Sequence, residues 1–116
     1  MDMYNSDKTI SLWENSTRKS VTVMNRKTGE RYSFVLKHSF TVGRLKPPSD
    51  LTITREDKFI SGRHLCFENR DNEIYVKDLN SKNGTWINGR LISTKTKIRQ
   101  GDILKVGRSE FDIILG

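Results

Sequence analysis

Three side chains able to grip an anion stand in chain order, each close to a glycine: Arg44 after Gly43, Ser61 before Gly62, and Asn83 before Gly84. Arginine suits a tetrahedral anion because its planar fork offers parallel charge-assisted hydrogen bonds. Ser61 can add its hydroxyl and backbone amide, and Gly62 lets the main chain come close to a ligand. Arg63 adds positive potential. The Asn83 amide donates and accepts at once, which is the chemistry for holding an extended peptide backbone. Each bond to a charged group is worth roughly 1.5–3 kcal/mol, so two or three suffice for micromolar affinity. Singly, each residue has a plainer reading: Asn83-Gly84 as a turn, Ser61 as a cap for its own loop. Gly89-Arg90 and Gly107-Arg108 read as turn glycines followed by solvated arginines.

Catalytic templates are absent. There is no G-x-S-x-G elbow, phosphate-cradling G-x-x-x-x-G-K or H-E-x-x-H pair. Ser61 and His64 lie near each other, but no third group or oxyanion donor set accompanies them, so no enzyme is expected. His38 and His64 lack the neighbours a metal site needs, His38 reads as solvated, and no cofactor is implied. The single Cys66 excludes an internal disulfide, reads as a small buried hydrophobe, and points to a reducing intracellular compartment.

The elements around these residues read as strands. Val21 and Val23 alternate with polar neighbours, as do Tyr32, Phe34 and Leu36, across a polar turn holding Gly29. Phe40 and Val42 carry the period of two into Gly43-Arg44, where Pro47-Pro48 ends it. A short strand is expected at residues 51–53, a hairpin at 63–69 and 73–79, and a second at 85–87 and 90–92 across Asn88-Gly89, a pair suited to a type I′ turn. Ile98, residues 103–106 and residues 111–115 supply the last strands. About ten strands with turn signals every 8–12 residues indicate an all-β sandwich or barrel.

The chain has 116 residues, room for one domain. Residues 1–19 read as a flexible leader whose only strong apolar anchors are Ile10, Leu12 and Trp13, in an early strand or tether at 9–14, and residues 20–116 as the domain. Ending directly behind a hydrophobic strand, the sequence reads as part of a longer protein. No apolar run is long enough for a membrane helix and no membrane partner is expected. Lys and Arg exceed Asp and Glu by 21 to 14, a net charge of +7 that favours anionic partners, yet the cations are scattered rather than blocked.

Taken together, Gly43-Arg44, Ser61-Gly62-Arg63-His64, Asn80-Ser81-Lys82-Asn83-Gly84-Thr85 and Asn88-Gly89 resemble the forkhead-associated (FHA) domain, over about residues 32–115. The resemblance implies an antiparallel, SMAD/FHA-like β-sandwich of about eleven strands whose loops at one end bind phosphothreonine peptides. It places Arg44 and Ser61 on the phosphate, with Gly62 contributing through its backbone because many members carry a polar side chain there. Lys82 replaces a frequent threonine, so its backbone or its ammonium would serve. Asn83 would hold the peptide main chain. His64 would be a buried architectural residue bonding across loops, and Gly43, Gly84, Asn88 and Gly89 would set backbone shape. The loop before Ser61, with Lys58 and Phe59, would choose the ligand residue three places after the phosphothreonine, with an acidic or an apolar preference both open.

The partner implied is a threonine-phosphorylated protein, or another copy of this chain once phosphorylated. Domains of this family sit in checkpoint and meiotic protein kinases, transcription factors and ubiquitin ligases, and placement near residue 1 would suit the N-terminal targeting domain of a nuclear checkpoint or meiotic serine/threonine kinase. The alternative from another class is a small basic β-barrel binding nucleic acid, which needs aromatics and lysines on one exposed strand face. Tyr32, Phe34, Phe67, Tyr75, Trp86 and Phe111 fall mostly on alternating positions assigned to the core.

Overall fold

Alternating apolar and polar residues favour a half-buried pleat, and the computed structural model, which describes residues 19–116, builds eleven strands and no helix among the described residues. The expected leader and its strand at 9–14 lie outside them. In chain order the strands are β1 (Lys19–Asn25), β2 (Arg31–Leu36), β3 (Ser39–Gly43), β4 (Leu51–Thr52), β5 (Leu65–Arg70) and β6 (Glu73–Asp78). They continue with β7 (Thr85–Ile87), β8 (Arg90–Leu91), β9 (Thr96–Lys97), β10 (Ile103–Val106) and β11 (Ser109–Leu115).

Two sheets form, one ordered β9-β6-β5-β3-β4 and the other β2-β1-β11-β10-β7-β8. Val21, Val23, Phe34, Leu36, Leu104, Phe111 and Ile113 from one meet Val42, Leu65, Phe67 and Val76 from the other in a common buried core. Phe34 ties the sheets together, its ring 5.3 Å from that of Phe67 and stacked at 4.4 Å on Phe40. Each such side chain contributes roughly 1.5–3 kcal/mol by leaving water. Cys66 is buried and unpaired, as its flanking hydrophobes suggest. The hairpin at Asn88-Gly89 has φ of 51° and 82°, the left-handed pair a type I′ turn requires.

One pairing departs from an all-antiparallel sandwich. β4 runs parallel to β3, with Val42 opposite Leu51 and Gly43 opposite Thr52. Asp50 makes this possible by reaching back across the loop: its carboxylate accepts the Thr41 backbone N–H at 2.8 Å and hydroxyl at 2.9 Å. Those bonds, the backbone one first, hold the Asp50 carboxyl below its ordinary pKa.

Register decides where the loops gather. β5 pairs Leu65 with Val42 and Asp78, so the ends of β3 and β6 and the start of β5 share one level. Thr85 at the start of β7 lies opposite Val106 at the end of β10, and Phe111 opposite Asn25 at the end of β1. The connections at residues 26–30, 44–50, 53–64, 79–84 and 107–108 therefore crowd one pole. At the other pole Ser20 and Gly116 exchange backbone bonds of 3.4 and 2.8 Å.

The loop pole closes on a seam where β3 meets residues 61–62. Arg44 N–H donates to the Ser61 carbonyl at 3.0 Å and Leu45 N–H to the Gly62 carbonyl at 3.1 Å. A Cβ on Gly43 would stand 2.2 Å from the Gly62 carbonyl oxygen and 2.6 Å from Ser49 Oγ, so only glycine fits. Gly43→Ala should lower unfolding free energy in urea by roughly 1–3 kcal/mol through overpacking. A wild-type midpoint in that variant would disprove the tight seam.

Candidate anion-binding site

Residues 53–64 form the hub on which the three expected side chains meet. Half-buried Arg44 donates from Nε to the Ile60 carbonyl at 3.0 Å, which spends one of its five N–H groups and aims the rest from the loop pole. Among the described residues no carboxylate pairs with it. Ser61 Oγ accepts the Lys82 backbone N–H at 3.0 Å, which leaves its own hydroxyl proton uncommitted among the described residues. Asn83 donates from Nδ2 to the Phe59 carbonyl at 2.9 Å, keeping its second N–H and its Oδ1. Arg44, Ser61 and Asn83 thus sit on three loops joined to residues 59–61.

Two backbone donors are already committed. The Ser61 N–H goes to His64 Nδ1 at 2.9 Å and so cannot serve an anion, and the Lys82 N–H is held by Ser61 Oγ. Lys82 therefore offers its exposed ammonium, not its amide. The Gly62 N–H, by contrast, finds no protein acceptor among the described residues, while the Gly62 carbonyl takes Ser49 Oγ at 2.7 Å. Of the two backbone donors expected here, the Ser61 N–H is taken and the Gly62 N–H is unspent.

His64 is buried and links two loops. Nδ1 accepts from Ser61, which makes Nε2 the protonated nitrogen, and that N–H donates to the Gly84 carbonyl at 2.8 Å. Burial drives its pKa below the ordinary value, against the opposing bond to Gly84 and the charge of Asp78. Gly84 holds φ of +88° and would drive a Cβ to 2.7 Å from Leu91 Cδ1.

The sequence motifs do not single out Asp78, yet it shapes the Asn83 loop. Its Oδ2 accepts the Ser81 N–H at 2.9 Å, and its Oδ1 accepts the Ser81 and Thr85 hydroxyls, both at 2.6 Å. Ser81 Oγ in turn accepts the Gly84 N–H at 2.9 Å. Burial opposes the charge, but these donors outweigh it and hold the Asp78 carboxyl low. An aspartate three residues before a serine was the available signal, since such side chains reach nearby backbone N–H groups.

Lys58 and Phe59 are exposed at the rim. Arg108, expected as a plain solvated arginine, lies with its guanidinium 4.1 Å from the Phe59 ring centroid. Asp57 locks that contact, accepting the Phe59 N–H at 3.0 Å, the Arg108 N–H at 2.8 Å and Ser109 Oγ at 2.7 Å. At the base of the same segment, Thr54 adopts φ of 42° and is gripped by the Tyr32 hydroxyl and Asn25 Nδ2.

The architecture is a two-sheet β-sandwich whose donor-bearing loops crowd one pole. The FHA domain family model matches residues 40–107, and the chain belongs to the FHA family. It is 31% identical over 64 residues to the FHA domain-containing protein FhaB of Mycolicibacterium smegmatis, a match covering 55% of this chain and 41% of that protein. The match therefore spans about two fifths of that relative. It is 27% identical over 97 residues to the glycogen accumulation regulator GarA of Mycobacterium tuberculosis, covering 84% of this chain and 58% of GarA. Among solved structures, an FHA domain studied for phosphothreonine-dependent interactions superposes with a TM-score of 0.71 at 27% identity, covering 82% of this chain and 95% of that one. The family is that of a binding module, not a catalyst. The expected nuclear location does not stand, because FhaB and GarA are proteins of mycobacteria, which have no nucleus.

Neutral, buried His64 gives stability a pH signature. Its folded pKa lies below the ordinary 6.5, so its contribution is complete above about pH 6.5 and is lost as pH falls toward the lowered value. The urea midpoint should drop between pH 7.5 and 5, and the His64 imidazole resonance should titrate below 6.5. A His64→Gln variant with an undiminished slope over that interval would contradict this assignment.

Proposed function

We propose that the loop pole binds a phosphothreonine-containing segment of a partner protein. The observation that carries this reading is the gathering of unspent donors around residues 59–62: the Arg44 guanidinium, the Ser61 hydroxyl and the Gly62 N–H. A phosphothreonine brings about −1.5 to −2 charge and three acceptor oxygens, enough to occupy all of them. Lys82, exposed beside Ser61, supplies a further positive group. Asn83 holds the main chain next to the phosphorylated residue with its remaining N–H and carbonyl oxygen. The phosphothreonine-dependent interactions of the similar solved FHA domain support this assignment.

Binding is recruitment, not chemistry. A kinase acting on a partner creates the ligand, and the domain then concentrates whatever is covalently attached to it, a serine/threonine kinase in the reading drawn from the resemblance. A second copy of this chain, phosphorylated on threonine, meets the same requirement. Threonine is preferred over serine because its methyl can be buried between the loops, worth roughly 0.8 kcal/mol, or about fourfold.

Titration calorimetry should give micromolar affinity for a phosphothreonine peptide. Arg44→Ala and Ser61→Ala should each weaken binding roughly 10- to 100-fold, with the far-ultraviolet spectrum unchanged. The phosphoserine twin should bind at least about fourfold more weakly. Equal binding of the unphosphorylated peptide would end the proposal.

A further inference from the structure

A wide groove opens beside the phosphate donors. Its walls are the β1–β2 turn, residues 54–59 and the β10–β11 turn, and Phe59 is shared between groove and site: its carbonyl takes Asn83, while its ring lines the groove. Five cations border it, Arg26, Lys27, Lys58, Lys105 and Arg108, against Glu56, Asp57 and Glu110.

The charges are not balanced once their partners are traced. Arg26 is matched by Glu110 at 3.7 Å and Asp112 at 3.5 Å. Asp57 is spent on the Phe59 and Arg108 N–H groups and the Ser109 hydroxyl. Among the described residues no carboxylate comes within ion-pair distance of Lys27, Lys58, Lys105 or Arg108. Glu110 stands opposite Lys105 across β10–β11 but also pairs with Arg26, and Glu56 on the groove wall forms no ion pair among the described residues. The apolar platform is covered as well, because the Arg108 guanidinium lies over the Phe59 ring, where a cation is held by the ring's negative face.

We infer that this groove takes a run of acidic residues flanking the phosphothreonine in the same ligand. The inference rests on the proposed function, and it decides between the acidic and apolar preferences that Lys58 and Phe59 leave open in the sequence. An extended peptide advances roughly 3.3 Å per residue. A chain held by Asn83 therefore passes Phe59 and enters the groove within a few residues. The walls are preorganised: Asp57 ties residues 57–59 to the start of β11, and Asn25 Nδ2 reaches Thr54 Oγ1 at 3.3 Å.

The test uses the whole chain and fluorescent phosphothreonine peptides with neutral flanks, with an Asp/Glu run after the phosphothreonine, and with that run before it. One acidic peptide should bind about fivefold tighter than the neutral one at low salt, and the gain should shrink toward none near 0.5 M salt, where the Debye length is about 4 Å. Lys27→Gln/Arg108→Gln should erase the gain yet bind the neutral-flank peptide as wild type does. Lys27→Gln alone, on a separate turn from Phe59, should erase part of it. No gain from either acidic run, or a gain that survives the double variant, overturns the inference. So does an oligonucleotide that binds through Lys27 and Arg108 where the acidic peptides do not. Failure of the neutral-flank peptide to bind wild type would instead sink the underlying phosphothreonine reading.

Discussion

The site depends on one buried imidazole. His64 accepts from the Ser61 amide through Nδ1 and donates to the Gly84 carbonyl through Nε2, so a single neutral ring sets the separation of two loops distant in sequence. A charged ring could not play this part, because a second N–H would confront the Ser61 N–H instead of accepting it. With the ring in place, Ser61 Oγ meets the Lys82 amide and Asn83 meets the Phe59 carbonyl. Remove it and the Arg44 and Asn83 loops lose their common reference.

At the loop pole three aspartates are committed to neighbouring loop and strand donors. Asp50 serves Thr41, Asp57 serves Phe59, Arg108 and Ser109, and Asp78 serves Ser81 and Thr85. All three carboxyls are held below their ordinary pKa, Asp50 chiefly by the Thr41 N–H, the other two against the cost of burial. Each negative charge is therefore consumed in shaping a loop. What the pole shows to solvent is mostly donors, and a chain of net charge +7 concentrates its usefulness there.

Much of this was legible in the sequence. Period-two alternation through Val21, Val23, Phe34 and Leu36 marks strands because the pleat sends successive side chains to opposite faces. The glycine-flanked Arg44, Ser61 and Asn83 mark the loops. Less legible was the commitment of each donor: that the Ser61 and Lys82 amides are taken while the Gly62 amide is not depends on competition among neighbours in three dimensions. The parallel β3–β4 contact escaped for a similar reason, since two residues of pairing leave no periodic trace and the Asp50 bond that enforces it is not a pattern. Arg108 follows a turn glycine as a solvated arginine would, and only the fold brings Phe59 beneath it.

Because Ser20 and Gly116 exchange bonds at the pole opposite the loops, the start of β1 and the end of β11 lie side by side, far from the loop pole. Force between those two ends would peel β1 from β11 one hydrogen bond at a time, a weak, zipper-like loading. Force between either end and a ligand gripped at the loops instead runs along the strands and strains many bonds at once. The same sandwich therefore resists a pull along its strands better than one that opens β1 from β11.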